Sequence, residues 1–313
     1  MKILVIRLSS LGDIILTQPV LGLLQDKYPE AEIYYLTKDE FKDLPTLFPN
    51  PPKLLIFRPT LGFLLSLRAL RFDLVIDLHV KMASMLASAF SGAPHRVRYK
   101  KQRSIRKAIV KGNKGLRIDS TVESYVSSLN GICDTAWQYP RLSIIPTSGN
   151  LQRIALFPGA THGTKCYPSD KWIEFINLNS DYHFAIFGGK KELSVCQYIA
   201  SMTVNSSNMA GKLSLKELVS ELSHYGGVIS GDTGPMHIAA AMNLPQIAIF
   251  GGTHPRLGFR PLNDKAVVLC AELPCQPCHL HGRHKCPLGH FNCMNNISPQ
   301  LITDTLRTLS SHR

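Results

Sequence analysis

No run in this 313-residue chain approaches the roughly 18 apolar residues of a membrane-spanning helix. The opening Met-Lys-Ile-Leu-Val-Ile-Arg-Leu imitates a signal peptide only briefly, because Arg7 and Asp13 interrupt it and no small-residue cleavage site follows. It reads as a buried first strand, and the expected compartment is the cytoplasm. Eight cysteines are too few for a disulfide scaffold. No Asp-x-Asp pair occurs, and the one lysine in a Gly/Thr loop lacks the Gly-Lys-Ser/Thr ending of a P-loop. Acidic residues are scarce, 22 against 35 Lys and Arg, for a net charge of +13. That balance implies an anionic partner. From Leu78 to Ile118 there is no Asp or Glu, while Arg96, Arg98, Lys100, Lys101, Arg103, Arg106, Lys107, Lys111, Lys114 and Arg117 accumulate. A nucleic-acid surface needs stacking aromatics among such cations. The run from Arg96 to Arg117 contains only Tyr99, so no nucleic acid is expected as partner.

What is present is a strand–helix alternation running twice. In the first half, residues 2–8, 32–36, 53–57 and 74–78 read as buried strands, with helices over 14–27, 60–70 and around 122–129. Short, unalternating apolar strands separated by helices predict a parallel sheet covered on both faces. Residues 140–151, rich in Pro, Ser, Gly and Thr, are the linker. The alternation restarts with strands over 153–157, 184–187, 227–230, 246–250 and 266–269, and helices over 169–177, 191–200 and 214–222. The predicted fold is therefore α/β, two Rossmann-like doubly wound domains facing across a cleft. Residues 1–148 form the first, 149–297 the second, and 298–313 a helix packing back across the junction. Ligands of such sheets bind outside the strand C-termini, which makes the cleft the default site.

The stretch from Val228 to Gly252 carries the strongest local signal. It reads as strand, glycine turn, helix and second strand, with Asp232, Thr233, Gly234 and His237 at the turn and Pro235 as first helical residue. The helix N-terminus offers amides and a positive dipole to an anion. Lys165, in the Gly/Thr loop after the strand ending at Phe157, reads either as a phosphate clamp acting as a point charge or as a surface lysine. Glu192, after Gly188-Gly189, suits a ribose hydroxyl or a plain first-turn acid. Asp13, closing Arg7-Leu-Ser-Ser10-Leu-Gly-Asp13, reads as a helix-start acid or as a general base toward a sugar hydroxyl.

Taken together, Ser9–Asp13, Pro158–Pro168, Gly188–Glu192 and Asp232–Ala241 resemble, in order, the motifs of glycosyltransferase family 9, the lipopolysaccharide heptosyltransferases. The resemblance implies the two-domain architecture called GT-B, with the sugar nucleotide on the C-terminal half. It implies inverting, metal-independent transfer of a heptose from ADP-heptose to the lipid A–Kdo inner core of lipopolysaccharide. Asp13 would be the base, and Lys165, Asp232, Thr233, Gly234 and His237 would surround the donor phosphates. Glu192 would bind the ribose, and Leu213 would lie against adenine. Ser10, Arg96 and Arg98 stand where members bind acceptor. Where members have a glycine-containing turn after the fourth strand, this chain has Asp77-Leu-His79-Val-Lys81. The basic run suits an anionic lipid acceptor and peripheral contact with the cytoplasmic face of the inner membrane. No cofactor is required by this chemistry, and a monomer is expected. The alternatives are a member moving a different sugar from a nucleotide donor, or a basic nucleic-acid-binding Rossmann-like protein. Cys275, Cys278, Cys286 and Cys293, interleaved with four histidines, offer a structural zinc site or a packed set of reduced thiols.

Overall fold

The structure is a computed structural model that describes residues 1–146 and 150–311. Its contacts divide the chain into two compact units. The first comprises Met1–Gln102 and Thr121–Ser143, the second Arg103–Ser120 and Ile144–Arg313. Residues 147–149, with the boundary expected at 148/149, lie outside the described residues, as do 312 and 313. Residues 103–120, expected in the first domain, group with the second unit.

The first unit is a parallel sheet of β1 (Lys2–Ile6), β2 (Glu32–Thr37), β3 (Lys53–Ile56), β4 (Leu74–Asp77) and β5 (His95–Arg98) in the order β3-β2-β1-β4-β5. β1 and β4 are continuous apolar runs buried on both faces, which is why they take the centre. The helix expected over residues 14–27 is two: α1 (Leu11–Ile15) and α2 (Gln18–Lys27). Pro19 explains the break, since it lacks an N–H and its ring opposes a carbonyl one turn back. α3 (Leu61–Ala69) and α4 (Met82–Phe90) pack on each other and close one apolar core with Leu67, Phe72 and Ala87. α4 and β5 fall in a stretch where the sequence pattern predicts no element. α6 (Thr121–Val126) returns to this unit after α5 (Arg103–Val110), which belongs to the second.

The second unit repeats the theme. Its strands are β6 (Asn150–Phe157), β7 (His183–Ile186), β8 (Ser206–Asn208), β9 (Tyr225–Gly231), β10 (Gln246–Phe250) and β11 (Ala266–Cys270), ordered β11-β10-β9-β6-β7-β8 and parallel wherever paired. Counted within the unit this is the dinucleotide-fold order 3-2-1-4-5-6, whose switch point lies between β6 and β9. Helices α7 (Ser169–Leu178), α8 (Leu193–Ser201), α9 (Leu215–Leu222) and α10 (Gly234–Ala241) connect the strands, and short α11 (Asn292–Asn295) leads to α12 (Pro299–Ser311). α12 lies against α7 and buries Ile302 and Leu306 in the core of this unit.

Candidate functional site

In the first unit the loop leaving β1 builds a closed set of contacts around one carboxylate. Arg7 is buried and its guanidinium is divided three ways. Nε donates to the Ser9 carbonyl at 2.6 Å, Nη1 to the carbonyl of Leu78 just after β4, and Nη2 stands 2.8 Å from Asp13 Oδ2. The same Oδ2 accepts from the Ser10 hydroxyl at 2.6 Å and the Ser10 amide at 3.3 Å, while Tyr125 of α6 donates its hydroxyl to Oδ1 at 3.1 Å. Burial alone would raise the pKa of Asp13. The Arg7 charge and the bonds from Ser10 and Tyr125 outweigh it and hold the carboxyl well below the usual carboxylate range. Tyr125 is pushed the other way, chiefly by burial, so its hydroxyl stays a donor. The helix-start reading of Asp13 holds, since it forms a capping box with Ser10.

The loop after β4 completes this region. Asp77 is fully buried and accepts from the amides of His79 and Val80 at 2.9 and 2.8 Å and from Ser84 at 3.0 Å. Val80, in the turn after β4, takes φ +50°, a costly region for a β-branched residue. Lys101 holds the Val80 carbonyl at 2.7 Å. His79 is buried with Nδ1 unpartnered, and burial together with the charges of Arg7, Lys81 and Lys101 pushes it down to about 4. It is neutral at physiological pH. Arg96 and Arg98 lie exposed on edge strand β5. The basic run that contains them does not act as one surface: Arg106 is buried with its guanidinium 4.9 Å above Phe259, and Arg117 pairs with Asp119 at 2.8 Å.

In the second unit the loops at the switch point converge on a lysine. Lys165 Nζ lies 2.8 Å from Asp232 Oδ2, which also accepts from Thr253 at 2.7 Å. β6, β9 and β10 thus each contribute one member at their C-terminal ends. Thr233 is the N-cap of α10 and caps no amide with its side chain; it donates instead to the Gly231 carbonyl at 3.3 Å. Gly234 and Pro235 open the helix, and His237 is buried within it. Glu192 Oε2 accepts from the Gly189 amide at 2.8 Å. Its side chain lies so close over Gly159 that a Cβ there would run into it. The loop bearing half-buried Leu213 is tied to the same place through the Gly211 amide and the Gly188 carbonyl, 2.9 Å apart.

The cysteine segment has a position that its sequence did not disclose. Thr164, next to Lys165, exchanges bonds with Arg283: its amide donates to the Arg283 carbonyl at 3.0 Å and its Oγ1 accepts from the Arg283 amide at 2.8 Å. The Thr164 carbonyl accepts from Gly252 at 2.7 Å, and Gly252 accepts from the Cys278 amide at 3.1 Å. Residues 275–290 therefore strap the lysine loop to the end of β10. A side chain at Gly252 would collide with Thr164 Oγ1. Cys293 feels the charges of Cys275, Cys278 and Cys286, but no three of these four sulfurs lie within 4.8 Å of one another. Among the described residues the one group of three ligand-type side chains within 4.8 Å is His254, Cys270 and Glu272. There His254 Nδ1 accepts from the Arg256 amide at 3.1 Å, which leaves Nε2 as the N–H facing Glu272 at 3.0 Å, the wrong tautomer for a metal at that nitrogen.

Of the residues that the sequence singles out, Ser10 and Asp13 are in contact, as are Lys165 and Asp232. Arg7, Tyr125, Thr253 and Thr164 were not among them. Arg7 and Thr253 stand inside or beside quoted motifs, whereas Tyr125 reaches Asp13 from 112 residues away.

Comparison with known proteins bears on this arrangement. Lipooligosaccharide heptosyltransferase 2 of Campylobacter jejuni is 28% identical over 165 residues, 50% of this chain and 51% of that protein. The chain thus spans about half the length of that relative. Lipopolysaccharide heptosyltransferase 2 of Escherichia coli K12 is 25% identical over 99% of this chain and 98% of that protein. The solved structure of E. coli ADP-heptose lps heptosyltransferase II has the same fold, with a TM-score of 0.80 and 24% identity over 100% of this chain and 99% of that one. Residues 61–288, well over half of the chain, match the family described as glycosyltransferase family 9 (heptosyltransferase), and the chain belongs to that family.

Proposed function

We propose that this protein is an inverting heptosyltransferase that moves heptose from ADP-heptose to the anionic inner core of a lipopolysaccharide precursor. The observation that carries the reading is the caged carboxylate of Asp13, an ionised base at neutral pH whose second oxygen retains room for a donor. Oδ2 is filled by Arg7 and Ser10 and, among the described residues, Oδ1 by Tyr125 alone. A carboxylate oxygen has about two lone-pair sites, so Oδ1 accepts the acceptor hydroxyl. A base held this far below its ordinary range cannot remove a sugar proton in advance. It takes the proton as the new C–O bond forms and the attacking oxygen gains positive charge, the timing that an oxocarbenium-like transition state demands.

The second unit supplies the opposite charge. Lys165, oriented by Asp232 and Thr253, and the amides at Thr233 and Gly234 stabilise the departing diphosphate. His237 lies behind them. Glu192 binds the ribose and Leu213 the adenine. On the acceptor side, Arg96 and Arg98 attract the negative charges of the acceptor, and Ser10 positions the base. The names of the relatives support heptose and ADP over other sugars and nucleotides. The enzyme works as a monomer in contact with the cytoplasmic membrane surface, with no metal in the reaction.

The test is transfer from ADP-heptose to a heptose-deficient lipopolysaccharide acceptor, followed by mass spectrometry of the acceptor. Wild-type protein adds one heptose and Asp13→Asn does not, while both bind ADP. Absence of ADP binding by the wild type, or stabilisation by UDP-sugars in its place, overturns the assignment.

A further inference from the structure

α4 is amphipathic in the wrong direction for a helix that faces water. Its inner side buries Ser84, Ala87 and Ser88, while Met82, Met85, Leu86 and Ala89, one stripe at helical spacing, face out. Met82 is 74% exposed, Leu86 43% and Met85 37%. Its neighbour α3 covers the same core and exposes Leu61 at 63% and Leu65 at 53%, one turn apart. Two packed helices thus expose five large apolar side chains between them. Scattered surface leucines are ordinary, but five such side chains on two adjoining helices mark a contact face.

The charges around it identify the contact. From Leu44 to Gln102 there are nine Lys and Arg and two acids, Asp73 and Asp77. Asp77 is buried under the His79 loop, and Asp73 accepts from the Lys2 amide at 2.6 Å. Arg58 just before α3, Arg68 within it, and Lys81 at the N-cap of α4 are exposed. An apolar strip rimmed by cations matches a bilayer interface, where apolar side chains enter the headgroup–acyl boundary and each nearby Lys or Arg gains attraction to anionic lipid. A second copy of the chain fits poorly: a two-fold contact would bring this rim against itself, cation to cation.

We propose that the outer face of α3 and α4 docks on an anionic phospholipid bilayer, seating the first unit at the surface where a lipid-anchored acceptor resides. The inference rests on the membrane contact proposed above and names its surface. The test is co-sedimentation with vesicles of phosphatidylcholine alone and of phosphatidylcholine mixed with phosphatidylglycerol. It compares wild type with Leu65→Ser/Met82→Ser/Leu86→Ser and with Arg58→Glu/Arg68→Glu. These positions are exposed, and unchanged thermal midpoint and ADP affinity verify that each variant is folded. Wild type is expected on the mixed vesicles only, with binding reduced about tenfold or more in either variant. Equal binding of wild type and both variants overturns the face while leaving membrane contact standing. No binding of wild type to either vesicle overturns both, although ADP-heptose transfer to a detergent-dispersed acceptor would still uphold the enzymatic reading. Concentration-dependent dimerisation that the serine variant abolishes, without vesicle binding, assigns the face to a second copy and overturns the proposal.

Discussion

The two units share a sheet order and each places a charged pair beyond the C-terminal ends of its strands, but with opposite polarity. In each, the loops leaving the first and fourth strands of the sheet are tied together: Arg7 to the Leu78 carbonyl in one, Lys165 to Asp232 in the other. In the first unit the cation is the deeper partner, 8% exposed against 20% for Asp13. In the second the carboxylate is deeper, 9% against 16% for Lys165. One architecture therefore presents an anion in one unit and a cation in the other. The difference lies in which residue type sits nearer solvent. Glycosyl transfer needs both, a proton acceptor for the incoming hydroxyl and positive charge for the outgoing diphosphate.

The comparison breaks most visibly at Asp13. Asp13→Asn keeps the size and part of the hydrogen bonding but removes the base, and kcat is expected to fall by about 10²–10⁴-fold with ADP affinity nearly unchanged. A loss confined to KM would show that the residue positions substrate rather than taking a proton. Lys165→Ala acts in the other unit and should have the complementary signature. A hydrogen bond to a charged group is worth about 1.5–3 kcal/mol, so donor affinity measured by calorimetry should weaken about tenfold or more. Thr164→Val tests the strap. It keeps the volume and loses the Arg283 bond, about 1 kcal/mol for a neutral pair, so donor KM rises a few-fold and Thr164→Ser restores it. If valine and serine behave alike, residues 275–290 do not orient Lys165.

These contrasts explain what the sequence could and could not disclose. The buried strands were legible because a parallel strand covered on both faces is a short apolar run, as in β1, β4 and β10. β5 was not, since His-Arg-Val-Arg on a sheet edge has no apolar pattern, and α4 was hidden because its apolar stripe faces outward. The loops at the switch point could be read because Asp232 and Thr233 directly follow β9 and Lys165 lies in the loop after β6. The support of Asp13 was only half legible. Ser10 and Arg7 are local, but the Tyr125 hydroxyl arrives from a helix that the chain reaches after an excursion into the other unit. Spacing carries no record of such a contact. The basic run misled in a different way, because charge counting cannot tell exposed Arg98 from Arg106, whose guanidinium stacks on Phe259.

The smallest expected effect separates two groups in the first unit by pH. His79 has its pKa pushed down to about 4, so the folded state favours the neutral ring. Its contribution to stability is complete above the unfolded value of about 6.5 and is lost as pH falls from there toward 4. Asp13 is also depressed, and its contribution is intact above the unfolded value of about 4 and is lost only below it. The thermal midpoint of the wild type should therefore decline in two stages. His79→Gln should flatten the stage between about pH 6.5 and 4 and leave the lower one, while Asp13→Asn should do the reverse. Should His79→Gln instead flatten the decline below pH 4, the imidazole is already charged in the folded protein. The region beside Asp13 would then carry one more positive charge at neutral pH than the geometry assigns it.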